Sequence, residues 1–140
     1  FWVGCAGAYE DRAKRTTRAV AELLHVAGVA FAVLGDGEQC TGDPARRAGN
    51  EMLFQMLAQA NVEVLTEVRA QRIVVTCAHC FNTIAREYPQ LGGRFEVVHH
   101  TELLERLLAE GRLTVAEDVR ERGAVTAADD APHPARTVTY

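Results

Sequence analysis

Arg72-Ile73-Val74-Val75-Thr76-Cys77-Ala78-His79-Cys80 is the stretch that decides how this chain is read. Ile73, Val74 and Val75 are contiguous and β-branched, as in a short strand covered on both faces. The strand delivers Cys77 at its carboxyl end. A short helix over Cys80–Tyr88 follows, and Pro89 stops it. Residues three apart on a helical turn share a face, so Cys77 and Cys80 present their sulfurs together. The free amides and positive end of such a helix favour thiolate over thiol.

The same strand-then-helix rhythm runs through the rest of the chain. Phe1–Gly4 reads as a buried strand entering Cys5, with Gly4 and Gly7 suited to a tight strand-to-helix turn. From Asp11 to Ala27, Val20, Leu23 and Leu24 fall at helical spacing, with Arg12, Lys14, Arg15 and Arg18 on a solvated face. Gly28 is the expected stop. Val29–Leu34 is a continuous apolar run, predicted as the second strand, and Gly35-Asp36-Gly37 breaks it. Cys40 lies in the loop that follows. Asp43-Pro44 is an expected helix start, Asp43 as N-cap, with a helix to Ala60 and another over Val62–Arg69. Phe95–Val98 is the fourth predicted strand and ends in His99-His100. Thr101 is expected to cap a helix over Glu102–Glu110, ended by Gly111. This alternation predicts an α/β fold: a parallel, Rossmann-like sheet with right-handed crossovers and helices on both faces.

After about Asp118 the composition turns to Ala, Asp, Pro, Gly and Thr with little periodicity. The expected organisation is one domain over 1–117. A linker and the start of a following, truncated domain occupy 118–140, with Thr137–Tyr140 as a cut-off strand. Phe1 in place of Met suggests an internal piece of a longer protein. The chain has 140 residues, 48% hydrophobic and 24% charged, a globular balance rather than a disordered or fibrous one. A formal net charge of -4 argues against nucleic acid as a partner. No apolar run approaches the ~20 residues that span a bilayer, and no signal peptide is visible. The expected location is the cytoplasm, or a membrane surface reached through other parts of a parent chain.

In a parallel sheet the carboxyl ends of the strands share one edge, where ligands of open α/β folds bind. Cys5, Cys40, Cys77 and the His99-His100 pair each follow a predicted strand, so they are expected to converge there. Four cysteines are too few for a secreted disulfide scaffold. They suit tetrahedral zinc or an iron–sulfur cluster equally, and spacing alone does not choose. A thioredoxin-like dithiol made of Cys77 and Cys80 is a rival that leaves Cys5 and Cys40 unexplained. Taken singly, a cysteine at a strand end is an ordinary small buried residue. His79 is read as a donor beside the site or as exposed, and His99-His100 as ligand, cap or buried pair. The Asp43-Pro44 helix start would aim further amides at the site, and Arg46 and Arg47 would add positive field or face solvent. His25 and His133 receive no role.

Several segments together resemble one family. They are Trp2-Val3-Gly4-Cys5; Cys40-Thr41-Gly42-Asp43-Pro44-Ala45-Arg46-Arg47-Ala48-Gly49-Asn50-Glu51; Thr76-Cys77-Ala78-His79-Cys80-Phe81-Asn82-Thr83; Tyr88-Pro89; and Val98-His99-His100-Thr101. The resemblance is to the cysteine-rich CCG domain of heterodisulfide reductase and glycolate oxidase iron–sulfur subunits, and it covers residues 1 to about 113. The family pattern is Cys, then Cys-Cys-Gly, then Cys-x-x-Cys. Here 34 residues separate Cys5 from Cys40 and 36 separate Cys40 from Cys77. The resemblance implies an iron–sulfur oxidoreductase module that relays electrons between a flavin- or quinone-linked partner and a substrate. It also implies a second CCG domain in the parent chain, and membrane segments in some full-length relatives. It maps the cluster ligands onto Cys5, Cys40, Cys77 and Cys80, with Thr41, His79 and His99 beside the cluster or facing substrate. The chain departs from the pattern at Thr41, where the family has its second adjacent cysteine. Four ligands suit an ordinary [4Fe–4S] cluster, which points to electron relay rather than direct disulfide cleavage. Only one copy of the motif is present. Zinc, in a domain that docks its neighbours, is the cofactor alternative.

Overall fold

The computed structural model of the chain describes residues 1–115 and 126–127. It is a helix-rich α/β structure built around a parallel strand pair. β1 (Arg72–Val75) and β2 (Glu96–His99) run in register from Arg72 opposite Glu96 to Val75 opposite His99. Glu96 N–H donates to the Gln71 carbonyl at 3.0 Å, so positions 71, 73 and 75 of this strand turn towards β2. The even positions turn the other way, where Trp2 bridges Val75 in parallel and its N–H reaches the Val74 carbonyl at 2.9 Å.

The expected first strand is therefore one ladder position, at Trp2. Gly4, at φ +73°, then turns the chain into α1 (Gly4–Tyr9), and Glu10 breaks it from α2 (Asp11–Val26). Glu10 is a true cap: its carboxylate accepts from the amides of Arg12 and Ala13. The predicted strand Val29–Leu34 does not form. The segment makes a single bridge position, at Val33, and Leu34 is already in the helical region; the Phe1 nitrogen reaches the Ala32 carbonyl at 2.6 Å, but no regular ladder joins the segment to β1. An apolar run becomes a strand only where another backbone pairs with it, and among the described residues Phe1–Val3 is the segment that lies between it and β1. Val29–Leu34 and Arg72–Val74, with Phe1 and Trp2 between them, line a cleft of about 540 Å³ that Leu24, Leu65 and Leu107 also wall.

The helix expected from Pro44 to Ala60 is two helices. α3 (Asp43–Arg47) ends before Gly49, at φ +82°, and α4 (Glu51–Glu67) starts where the Asn50 side chain accepts from Leu53 N–H at 3.1 Å. α4 then continues unbroken through Ala60 and Val62, merging the two predicted helices. Gly42, not Asp43, is the N-cap of α3. Its φ is +87°, and a Cβ there would sit 3.0 Å from Phe54 Cδ2, so only glycine fits. α5 (Ala78–Asn82) has Cys77 as its N-cap residue and continues as a wide turn over Thr83–Glu87 and a tight one over Tyr88–Leu91. α6 (His100–Ala109) starts one residue earlier than its expected cap: His99 occupies the cap position, and Thr101 lies inside the helix.

Phe54, Ala58, Val62 and Leu65 of α4 recur at helical spacing and pack with Ile73 and Val75 of β1, alongside Trp2, Ile84 and Tyr88. A second cluster joins Val20 and Leu24 of α2, and Ala27 just past its end, to Leu107 and Leu113. β3 (Leu113–Thr114) pairs antiparallel with β4 (Thr126–Ala127), so a strand within the stretch expected to be linker pairs back onto the expected domain. The rest of that stretch, and the strand expected at Thr137–Tyr140, lie outside the described residues. Among the described residues no helix is long and apolar enough to cross a membrane.

Candidate iron–sulfur site

All four cysteines are free thiols. Cys5 sits in α1, immediately after the Gly4 turn. Cys40 lies in the loop leading to α3. Cys77 follows β1, and Cys80 is buried in the first turn of α5. Cys5, Cys77 and Cys80 line one cavity of about 260 Å³, together with Gly4, Thr16 and Thr76. Cys40 does not line it; its loop reaches the Cys5 turn through the Glu38 carboxylate, which accepts from the Val3 and Gly4 amides. Partial burial, and then Cys40, push the Cys5 thiol up from its ordinary value. Burial pushes Cys80 up further. Cys77 adds to that, and a hydrogen bond from the Thr41 hydroxyl opposes it.

Gly4 is the hinge of this cavity. A Cβ at Gly4 would lie 3.5 Å from Cys80 Sγ and 3.8 Å from Trp2 Nε1. Trp2 Nε1 is a buried donor with no partner among the described residues. The site thus offers four thiols, an unspent N–H and a backbone kept free of side chain. Those features fit a sulfur-rich inorganic centre. Among the described residues no three His, Cys, Asp or Glu side chains are placed to share a single metal ion. A tetrahedral zinc would draw its sulfurs to about 3.8 Å from one another. In a cluster each thiolate binds a different iron, so the sulfurs stand around a space rather than a point. Nothing in the arrangement supports zinc.

The Cys40-Thr41 backbone is held from below. Asn61, buried in α4, donates through Nδ2 to the Cys40 carbonyl at 2.9 Å and to Tyr88 Oη at 3.0 Å. Tyr88, fully buried, donates to the Thr41 carbonyl at 3.1 Å. The Tyr88 hydroxyl is protonated at neutral pH, as tyrosine ordinarily is, and burial pushes its pKa further up. On the other side of the loop, the Glu38 carboxylate accepts from Val3 N–H at 3.0 Å and from Gly4 N–H.

The other expected site residues fall as follows. Thr41 is buried against Cys80. His79 is exposed, with Nδ1 3.9 Å from Cys77 Sγ. His99 does not line the cavity: its Nε2 lies 3.3 Å from the Thr76 carbonyl and its Nδ1 2.8 Å from Thr101 Oγ1. Arg46 and Arg47 supply no free positive field. Arg47 pairs with Asp43 at 3.2 Å and with Glu87; Arg46 pairs with Glu87 at 3.2 Å and Glu51 at 3.5 Å, its guanidinium 4.5 Å over the Phe54 ring. Asp43, expected to cap α3, instead joins Arg47 to the Thr83 hydroxyl at 3.3 Å. Asn61, Glu38 and Glu87 carry no sequence signal that separates them from ordinary polar residues. Tyr88 stands out only as half of a helix-ending Tyr-Pro.

The model of the cysteine-rich domain family, CCG, matches residues 1–85. The chain belongs to that family. The CCG chain is 46% identical over 113 residues to an EtfAB:quinone oxidoreductase of Syntrophomonas wolfei, covering 81% of this chain and 16% of that protein. It is 41% identical over 121 residues to the probable iron-sulfur-binding oxidoreductase FadF of Bacillus subtilis, covering 86% and 17%. It is 31% identical over 119 residues to a subunit of the dihydromethanophenazine:CoB--CoM heterodisulfide reductase of Methanosarcina barkeri, covering 81% and 29%. The CCG chain thus spans less than a third of these relatives, whose remaining length lies in other parts. No solved structure matches it.

Proposed function

We propose that this chain is the iron–sulfur electron-relay domain of a multidomain oxidoreductase, with Cys5, Cys40, Cys77 and Cys80 holding a [4Fe–4S] cluster. The observation that carries this reading is the gathering of Cys5, Cys77 and Cys80 on one cavity, with the Cys40 loop tied to the Cys5 turn through Glu38. Relatives named as iron–sulfur-binding and quinone oxidoreductases support it. When bound, the cluster supplies one-electron transfer, tuned by burial and by hydrogen bonds to sulfur.

The protein's own residues have separable tasks in this reading. Gly4, at φ +73°, makes the turn that brings Cys5 to the cavity it shares with Cys80. Trp2 Nε1 and the Thr41 hydroxyl supply donors near sulfur. Asn61 and Tyr88 fix the backbone from which Cys40 and Thr41 project. His79 faces solvent beside Cys77, where a partner or substrate approaches. Thr41 stands where the family's second adjacent cysteine would, so the chain offers four thiols to one cluster, which favours relay over disulfide cleavage. The domain covers residues 1–117 and includes the Thr126–Ala127 strand paired with β3. Its sheet belongs to a Rossmann-like arrangement with helices on both faces. The partners are a flavin- or quinone-linked electron carrier and a second CCG domain of the parent protein, working in the cytoplasm or at a membrane held by other segments.

Anaerobic reconstitution with iron and sulfide, followed by metal analysis and electron paramagnetic resonance, tests the reading. Wild type is expected to bind about four irons per chain, and Cys40→Ser to lose both the iron and the signal. Unchanged iron content and spectrum in Cys40→Ser would overturn the four-ligand assignment. An iron-free protein in which Cys77 and Cys80 alone reduce a disulfide would replace it with dithiol chemistry.

A further inference from the structure

Cys5 and Cys40 come from elements far apart in sequence, and something must hold those elements together. Glu38 lies two residues before Cys40. Its carboxylate crosses to the turn that carries Cys5, accepting from Val3 N–H at 3.0 Å through one oxygen and from Gly4 N–H through the other. Both amides precede Cys5 directly, and Gly4 is the positive-φ residue that aims α1. Glu38 is half-buried. A partly desolvated carboxylate with two amide donors is worth more than a solvent-exposed one, because charge-assisted hydrogen bonds strengthen as water is excluded. No other side chain on the Cys40 loop makes a hydrogen bond to the Cys5 turn among the described residues.

We propose that Glu38 is the positioning residue of the Cys5–Cys40 pair, a two-oxygen tie from the Cys40 loop to the Val3–Gly4 amides that sets one thiol against the other. The proposal deepens the cluster reading, since it concerns two of that reading's four thiols, but its test uses the metal-free chain.

The probe is phenylarsine oxide. It condenses with two neighbouring thiols to give a cyclic dithioarsenite and one water, and the arsenic stays trivalent throughout. In a Cys77→Ser/Cys80→Ser background it reports on Cys5 and Cys40 alone; in a Cys5→Ser/Cys40→Ser background it reports on Cys77 and Cys80 alone. Glu38→Ala is expected to weaken capture by Cys5–Cys40 about tenfold or more, the scale of losing a hydrogen-bonded charge. Glu38→Gln, which keeps one carbonyl acceptor, is expected to recover part of that loss. Capture by Cys77–Cys80 should stay within about twofold of its own reference under Glu38→Ala. The proposal is overturned if Glu38→Ala leaves Cys5–Cys40 capture unchanged. It is equally overturned if both pairs weaken alike, as general loosening would produce, or if Cys5 and Cys40 are not bridged with Glu38 intact. Failure of the wild-type chain to take up iron and sulfide would sink the cluster reading and leave this result standing.

Discussion

Asn61 Nδ2 holds the Cys40 carbonyl at 2.9 Å across 21 residues of sequence. The same amide meets Tyr88 Oη, so a single buried side chain fixes both the loop and the residue that supports its next carbonyl. Removing it leaves buried polar groups short of partners, which costs more than the hydrogen bonds gained in folding. Asn61→Ala is expected to destabilise the fold by about 2 kcal/mol, a fall in melting temperature of roughly 6–8 °C. Thermal unfolding followed by circular dichroism measures it. A melting temperature unchanged within about 1 °C would show that the network carries no stability.

Gly4 and Gly49 both have positive φ, but only Gly4 faces sulfur. An L side chain costs about 1–2 kcal/mol in that backbone region. Gly4→Ala and Gly49→Ala should therefore lose similar stability in urea titrations. At Gly49 a Cβ meets nothing within 4 Å, whereas at Gly4 it lies 3.5 Å from Cys80 Sγ. Iron uptake in reconstitution should fall in Gly4→Ala and persist in Gly49→Ala. Equal uptake in the two variants would show that the Gly4 backbone does not border the cluster.

His100 gives the fold a pH dependence. Burial, and then the neighbouring His99 ring, lower its pKa from the ordinary 6.5, against a smaller opposing effect from the Val75 backbone. The folded chain therefore favours neutral imidazole. The resulting stability is present above about pH 6.5 and fades as pH falls through the lowered folded value, because the unfolded chain takes up the proton more readily. Glu38 acts with the opposite sign. Burial raises its pKa above 4.5 despite the two amides, so its contribution fades as pH rises beyond that value. The difference between wild type and His100→Asn isolates the histidine. Urea midpoints of wild type should drop from pH 7 to pH 5 more steeply than those of His100→Asn; parallel profiles would refute the assignment.

The parts of the fold legible in the sequence are those decided locally. Ile73-Val74-Val75 forms a strand as its pattern requires, Cys77 and Cys80 take the start of the next helix, and Gly28 and Gly111 end helices at positive φ. Val29–Leu34 carries the same apolar signature as β1 and is not a strand, because ladder formation depends on a neighbour that composition does not encode. The break at Gly49 is hidden by apolar spacing that runs on through Met52 and Phe54. At the site, the cysteines are visible by residue type and the resemblance groups them. The side chains that hold their loops are not. Asn61 sits inside an apolar helix, and Glu38 follows a polar turn; each becomes meaningful only through a backbone group distant in sequence. Arg46 and Arg47 mislead for the same reason, since their partner Glu87 is 40 residues from Arg47.

The cleft beside β1 also bears on how the purified domain behaves. Among the described residues Phe1 and Trp2 are seated against this side of β1, Trp2 N–H donating to the Val74 carbonyl, and the apolar walls leave a margin that is adhesive towards an extended polypeptide. Ala32→Lys, on the opposite bank, sets a charge at this flank and is expected to reduce self-association of concentrated preparations, which sedimentation velocity reads.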